Sequence, residues 1–155
     1  MDSSLSNLKV GDALPAFSTE PISRWNLAMY LGASGDHNPI HVDIDFARKA
    51  GLPDVIAHGM YTGGLVSAAL AMELPGPGTV YIGQELRFER PVRIGDTLTV
   101  ELTVAELLPE RKFVKILTAV LNQSGKPVLS GMATVMAPTQ KLCIPRPPLP
   151  RITVT

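Results

Sequence analysis

Hydrophobic and polar residues alternate along the second half of the chain. The alternation predicts strands over residues 80–89 and 98–104. Residues 112–121 are nearly continuously β-branched and apolar and predict a third strand, and residues 127–136, after a turn, predict a fourth. Residues 123–126 (Gln-Ser-Gly-Lys) predict a hairpin turn between the last two strands, and residues 91–96 connect the first two. We therefore expect a meander of four long antiparallel strands.

The first half of the chain has helical patterns instead. Ser23 can cap a helix over 24–33, and Asp43 can cap a short helix over 44–50 that ends at Gly51. Residues 60–73 are apolar on every side, which is typical of a buried helix. The economical packing is a curved antiparallel sheet around that helix, and this predicts a single α+β domain.

Composition limits the function classes. The 155 residues are 45% apolar, and 14 basic residues balance 14 acidic ones. A neutral, apolar chain of this size folds as one domain, has no electrostatic reason to bind nucleic acid or an anionic membrane, and tends to associate. The longest apolar stretch, 59–72, is too short for a membrane span.

The two ends of the chain carry further expectations. Residues 1–10 lack the apolar core of a signal peptide, and the single cysteine, Cys143, cannot form a disulfide within the chain, so we expect a cytoplasmic protein. Four prolines fall in residues 144–155. We expect a body over 1–142 and an extended, proline-rich tail over 143–155.

Functional side chains are concentrated in one stretch. All three histidines lie within 22 positions, together with four other polar residues: Asp36, His37, Asn38, His41, Asp43, Asp45 and His58. Asp36 and His41 flank an irregular turn at Asn38-Pro39, which can direct both side chains into one cavity. A carboxylate beside an imidazole can act as a general acid–base pair, and the carboxylate can fix the imidazole tautomer.

The start of the apolar helix is a second candidate element. The first N–H groups of a helix lack internal partners, and Gly59 would let a ligand approach them closely. Such donors can stabilise a polarised carbonyl oxygen. An acid–base pair beside an oxyanion donor suits chemistry next to a carbonyl or thioester.

Simpler explanations exist for each of these residues. Asp36 can form an Asx turn, and His41 can be a hydrogen-bonded structural histidine. His37 and His58 are expected to be mostly structural, with His58 shaping the loop. A metal site built from His37, His41, Asp43 and His58 is an alternative, but Pro39 disfavours the helix that would bring the histidines together, so we expect no metal.

One family combines these features. The segments 34–43 (SGDHNPIHVD), 56–60 (IAHGM), 74–79 (LPGPGT) and 90–92 (RPV) resemble the MaoC-like hydratases, in particular the (R)-specific enoyl-CoA hydratases. The resemblance runs from about Val10 to Leu142. It implies a hot-dog fold, a helix wrapped in an antiparallel sheet, assembled as a homodimer. It also implies reversible hydration of trans-2-enoyl-CoA to (R)-3-hydroxyacyl-CoA and suggests supply of polyester (polyhydroxyalkanoate) precursors from fatty-acid oxidation.

The resemblance also implies roles for individual residues. Asp36 and His41 would be a catalytic dyad that holds one water, Asn38 would organise the dyad's loop, and the Gly59 N–H would bind the thioester oxygen. No cofactor is implied, because CoA is part of the substrate.

The acyl chain has a candidate path of its own. Gly59, Gly63, Ser67 and Leu70 form a stripe along the helix, and the family's matching serine lines the acyl site. We therefore expect Leu70 to close an acyl pocket, unless Gly63 and Ser67 only allow close packing of helix against sheet.

Two other functions stay open. A hot-dog thioesterase would commonly carry a carboxylate near the start of the central helix, and residues 59–72 have none. A non-catalytic acyl-CoA-binding domain would not need both Asp36 and His41.

Overall fold

The computed structural model describes residues 4–14, 17–142 and 144–145. Three α-helices and five strands make up the described chain, with short 3₁₀ turns at Pro39–His41 and Pro109–Arg111. In chain order the elements are β1 (Phe17–Ser18), α1 (Arg24–Ser34), α2 (Ile44–Lys49), α3 (Gly59–Met72), β2 (Val80–Phe88), β3 (Thr99–Leu108), β4 (Phe113–Leu121) and β5 (Pro127–Met136).

The strands form one antiparallel sheet in the order β1-β3-β4-β5-β2. The predicted meander is therefore wrong for its first strand: β2 pairs with β5, with Phe88 opposite Leu129, and not with β3. The reason lies in the connection between β2 and β3. It is too long for a tight hairpin, and it crosses past the segment before α3, where the Ala57 N–H donates to the Val92 carbonyl at 2.9 Å.

The predicted helices are confirmed, with small changes at their ends. Ser23 caps α1 in a capping box with Asn26, and Asp43 caps α2 by accepting from the N–H groups of Asp45 and Phe46. α3 begins one residue earlier than the pattern predicts, at Gly59. The two-residue strand β1, which pairs with the start of β3, was not predicted because it carries no periodic signal.

α3 packs against one face of the sheet. Its buried side carries Thr62, Val66, Ala69 and Leu70, and the helix packs against β2, β3 and β4. The opposite side is exposed, although it is just as apolar: Met60, Gly64, Ala68 and Met72 lie there. The expectation of a helix buried on every side is therefore wrong for the single chain.

Two further expectations concern a membrane span and the proline-rich tail. No helix among the described residues is long and apolar enough to cross a membrane. The predicted tail falls mostly outside the described residues, because only Ile144 and Pro145 of it are described, so its boundary stays a prediction.

Candidate active site

The turn between α1 and α2 is held by side chains that bond to their own backbone. Ser34 Oγ accepts from the Asp36 N–H at 3.2 Å, and Asp36 Oδ1 accepts from the Asn38 N–H at 3.1 Å. Asn38 Oδ1 in turn accepts from the Ile40 N–H at 3.2 Å and so caps the 3₁₀ turn that carries His41. Asp36 is therefore an Asx-turn former, as the simpler explanation predicts, and its second carboxylate oxygen is not used by this turn.

His41 is anchored by a backbone carbonyl. Its Nδ1 lies 2.8 Å from the carbonyl oxygen of Ile56, and because a carbonyl only accepts, Nδ1 carries the proton. The neutral ring then presents a lone pair at Nε2, ready to accept a proton. The prediction that a carboxylate fixes this tautomer is wrong, because the backbone carbonyl of Ile56 does so. No property of the Ile56 side chain signals this role in the sequence.

His58 lies beneath His41. Only 2% of it is exposed, and its Nε2–H donates to the backbone carbonyl of Asp36 at 3.0 Å. The imidazole rings of His41 and His58 stack with their centroids 3.9 Å apart. The ring of Tyr30 flanks His58 at 4.9 Å. His58 therefore contacts both members of the candidate dyad, Asp36 and His41. From the sequence, His58 is expected only to shape the loop.

The carboxylate and the two imidazoles form one group. One oxygen of Asp36 and one ring nitrogen each of His41 and His58 all lie within 4.8 Å of one another. A single water can bridge polar atoms at such separations. Three such groups could also hold a metal ion, but the set differs from the one considered above. His37 is not part of it, and Asp43 instead accepts two N–H bonds at the start of α2.

A cavity of about 260 Å³ opens beside this group. His41 and Gly59 line it, together with Thr62 of α3, Phe88 of β2 and the residues that follow β2. No side chain caps the start of α3, so its first N–H groups remain available at the cavity wall. Asp36 is not among the lining residues, but its carboxylate lies within 4.8 Å of a ring nitrogen of His41, which does line the cavity.

The ring of Phe88 packs closely against Gly59. A methyl group added at this position would lie 3.1 Å from Cε1 of Phe88, which is a tight contact. The sequence pattern does not indicate this role of Phe88, since an alternating apolar residue in a strand is typical of ordinary core. Both the packing and a ligand's approach to the helix start thus favour glycine.

Most of the predicted acyl stripe lies outside the cavity beside His41. Gly63 and Leu70 are buried, Ser67 is partly buried, and none of the three lines the cavity beside His41. A methyl group at Gly63 would lie 3.2 Å from Cδ1 of Leu86, so this glycine allows β2 to approach α3. Leu70 is 1% exposed and belongs to the hydrophobic core. Their acyl-binding role stays a prediction.

An ion pair fastens the segment before Ile56 to α1. Nη2 of Arg24 lies 2.8 Å and 2.9 Å from the two carboxylate oxygens of Asp54. The pKa of Asp54 is lowered, chiefly by the Val55 N–H bond to its carboxylate and also by Arg24, against an opposing effect of burial. The ionised carboxylate holds the loop that presents the Ile56 carbonyl to His41.

The fold and the site together define the class of protein. One helix packs on an antiparallel sheet, and an acid–base group lies at the start of that helix. Residues 8–124 match the family described as "MaoC like domain". The chain belongs to this family.

Comparisons with individual proteins agree. An (R)-specific enoyl-CoA hydratase from Rhodospirillum rubrum is 46% identical over 119 residues, covering 77% of this chain and 82% of that protein. A 3-hydroxybutyryl-CoA dehydratase from Methylorubrum extorquens is 42% identical, covering 87% of this chain and 84% of that protein. The solved structure of an R-hydratase from Pseudomonas aeruginosa, unliganded, superimposes with a TM-score of 0.91 at 44% identity and covers 99% of this chain and 97% of that one. The expected hot-dog fold and the family resemblance are confirmed.

Proposed function

We propose that this chain is an (R)-specific enoyl-CoA hydratase, which reversibly adds water to trans-2-enoyl-CoA to form (R)-3-hydroxyacyl-CoA. One observation carries the proposal: His41, whose Nε2 is left as an acceptor, has a ring nitrogen within 4.8 Å of an Asp36 carboxylate oxygen and lines a cavity together with Gly59 at the start of α3. The relatives from Rhodospirillum rubrum and Aeromonas caviae are named for the same activity.

The dyad would act on one water molecule. Asp36 and His41 hold it between the carboxylate and Nε2, and the pair takes up one of its protons while its oxygen bonds to C3 of the substrate. A proton from the pair then goes to C2, so that one water is consumed and the dyad returns to its starting state. General acid–base catalysis of this kind contributes roughly 10²–10⁴ to the rate. Asn38 and His58 support the dyad by fixing its loop and its ring.

The start of α3 would bind the thioester oxygen. Negative charge develops on this oxygen as water adds to C3, because the thioester becomes enolate-like. Gly59 is the first residue of α3 and lines the cavity, so its N–H would carry the partial positive charge of the helix terminus to this oxygen. A donor in such a position is worth about 10²–10³ in rate.

Assays of the purified protein test the proposal. With crotonyl-CoA, the enoyl absorbance is expected to fall, chiral analysis to give the (R)-3-hydroxy product, and no free thiol to be released. Release of thiol would favour the thioesterase alternative, which the absence of any carboxylate within α3 disfavours. Tight binding of enoyl-CoA without turnover would instead support a non-catalytic binding domain.

We also propose that the chain forms a homodimer through β2 and the exposed side of α3. In the described sheet β2 is an edge strand, and it exposes Val80, Tyr81 and Ile82. An edge of this length with apolar side chains favours pairing with a second copy. Light scattering after gel filtration is expected to give twice the chain mass, and Ile82→Lys should shift the protein to monomer while Val10→Lys, at another exposed apolar position, should not.

The remaining parts of the proposal concern the cell. A cytoplasmic location and the absence of a cofactor stay predictions. One solved relative, the (R)-hydratase of Aeromonas caviae, is described as involved in PHA biosynthesis. We propose the corresponding role here, since (R)-3-hydroxyacyl-CoA is the product of the proposed reaction.

A further inference from the structure

A second cavity, of about 360 Å³, adjoins the catalytic one and carries an excess of positive charge. Arg90 and Pro91 line both cavities, so the two lie next to each other at these residues. Arg93 and Lys126 provide two more cations, while Asp96 is the one carboxylate among the lining residues. We call this second cavity the basic groove, defined by Arg90, Arg93, Asp96, Gln123 and Lys126. Because the whole chain has no net charge, the groove is a local feature.

The single carboxylate of the groove is already engaged. Asp96 accepts from the Arg93 backbone N–H at 2.8 Å and from Gln123 Nε2 at 2.9 Å. These bonds tie the loop after β2 to the turn between β4 and β5. Asp96 therefore shapes the groove and does not pair with the side chain of either Arg93 or Lys126.

The cations are available to a ligand. Within the described part of the chain, neither the guanidinium of Arg93 nor the ammonium of Lys126 forms an ion pair, and both residues are exposed. Arg90 is held in place by one bond, from Nη1 to the Pro127 carbonyl at 2.6 Å, which leaves its other N–H groups to face a ligand. Arginine and lysine so arranged match the oxygens of phosphate groups.

We infer that the basic groove binds the phosphate groups of coenzyme A. The inference rests on the proposed function. In an acyl-CoA the pantetheine arm separates the thioester from the phosphates, so the phosphates must be bound beside the catalytic cavity and not within it. A groove that lies next to the catalytic cavity at Arg90 meets this requirement.

An acidic carrier protein is the other partner to consider. A relative from Solanum lycopersicum, 30% identical, is named as a 3-hydroxyacyl-[acyl-carrier-protein] dehydratase. Specific protein interfaces bury about 1,200–2,000 Å² in total, with contacts spread over a broad surface. A confined groove with three cations fits a small phosphorylated ligand better, so we assign it to coenzyme A.

A series of substrates with one reacting centre tests the inference. Crotonyl-CoA, crotonyl-3′-dephospho-CoA and crotonyl-pantetheine share the thioester. The second lacks the 3′-phosphate, and the third lacks the whole 3′-phospho-ADP group, so the phosphate contribution is read from the first two and from the groove variants. Arg93→Ala and Lys126→Ala are each expected to lower kcat/KM for crotonyl-CoA about tenfold, mostly through KM. Loss of one hydrogen bond to a charged group weakens binding by about that factor. Their kcat/KM for crotonyl-pantetheine should stay within about twofold of the wild-type value. The dephospho substrate shows which cation binds the 3′-phosphate and which the diphosphate.

Lys115→Ala is the matched control. Lys115 is also a partly exposed lysine, but its ammonium pairs with Glu106 at 2.6 Å, and it lies outside both the groove and the catalytic cavity. This variant should leave all three substrates unaffected. Circular dichroism and melting curves check that every variant is folded.

Several results would overturn the inference. One is an equal loss on crotonyl-CoA and crotonyl-pantetheine, and another is no loss on either. Unchanged kinetics with crotonyl-CoA but impaired turnover of a crotonyl carrier protein would assign the groove to that protein. If the wild-type chain hydrates none of these substrates, the proposed function fails. Calorimetry of free CoA and of 3′-dephospho-CoA, each with the wild-type chain and with Arg93→Ala and Lys126→Ala, then still decides whether the groove binds phosphates.

Discussion

His41 and His58 stack face to face, with their ring centroids 3.9 Å apart and their planes 28° from parallel. Each ring is held by a different backbone carbonyl. His41 donates from Nδ1 to Ile56, and His58 donates from Nε2 to Asp36. His58 is thus linked to one member of the dyad by stacking and to the other by a hydrogen bond. Its own Nδ1 is buried and has no partner among the described residues.

We expect His58 to act as a positioning residue. His58→Leu removes both links and should lower kcat about 100-fold while KM changes little, because small displacements of catalytic groups are costly. His58→Gln can keep an N–H near the Nε2 position and should recover part of kcat. Steady-state kinetics with crotonyl-CoA measure the split. A merely structural role would lower the melting temperature of both variants and leave kcat of the folded enzyme unchanged.

Asp36→Asn and His41→Gln are each expected to lower kcat by at least about 100-fold. Asparagine can still accept the Asn38 N–H, so Asp36→Asn keeps the turn and removes only the charge. The double variant should be no worse than about tenfold below either single variant, because both residues act on one water. Retention of a tenth or more of wild-type turnover by either folded variant would refute the dyad.

How much of this could be predicted from the sequence depends on the kind of signal. Helix caps are local: Ser23 and Asp43 sit beside the N–H groups that they bind, so both helix starts were predictable. The pairing of β2 with β5 is not local, since it depends on where the loop after β2 crosses the molecule. Alternation within a strand predicts the strand but not its neighbour.

The residues of the site also divide into those that the sequence indicates and those that it does not. Asp36, His41 and Gly59 were identified because their residue types carry chemistry at a suggestive spacing. Ile56 acts through its carbonyl, and Phe88 through its packing on Gly59, so neither side chain type reveals the role. The hydrogen bond from His58 to the Asp36 backbone joins residues 22 positions apart, so it could be identified only in the folded structure.

Gly59→Ala should lower kcat/KM for crotonyl-CoA about 100-fold, the loss typical of an impaired oxyanion donor. The added methyl group would lie 3.1 Å from the Phe88 ring and would stand at the cavity wall. Gly32→Ala, at an exposed position of α1 with nothing within 4 Å of the new methyl group, is the control and should remain active.

Phe88→Leu separates two explanations of that loss. If crowding of the ring were the whole cause, the double variant Gly59→Ala/Phe88→Leu would regain wild-type kcat/KM. We expect it to stay impaired, because the methyl group itself obstructs the approach to the N–H. Full recovery would remove Gly59 from the proposed mechanism.

Hydration should not require a metal ion. Asp36, His41 and His58 could offer three ligand atoms, so the expectation needs a direct test. Treatment with EDTA followed by gel filtration should leave kcat unchanged, and added Zn²⁺ should not raise it. Elemental analysis that finds a stoichiometric transition metal, together with loss of activity on its removal, would change the proposed mechanism to metal-activated water.

Leu70→Ala tests the acyl stripe. Shortening this fully buried side chain, on the same helix as Gly59, should open space that admits further methylenes of the substrate, each worth about 0.8 kcal/mol when buried. We expect kcat/KM for octenoyl-CoA to rise relative to crotonyl-CoA by about tenfold. The same change should cost about 2–5 kcal/mol of unfolding free energy, measured by denaturant titration. Leu102→Ala, at an equally buried leucine of β3, is the control that loses stability without a change of preference. If folded Leu70→Ala keeps the wild-type ratio of the two substrates, Leu70 is ordinary core, and the glycines and serine of the stripe only bring the helix close to the sheet.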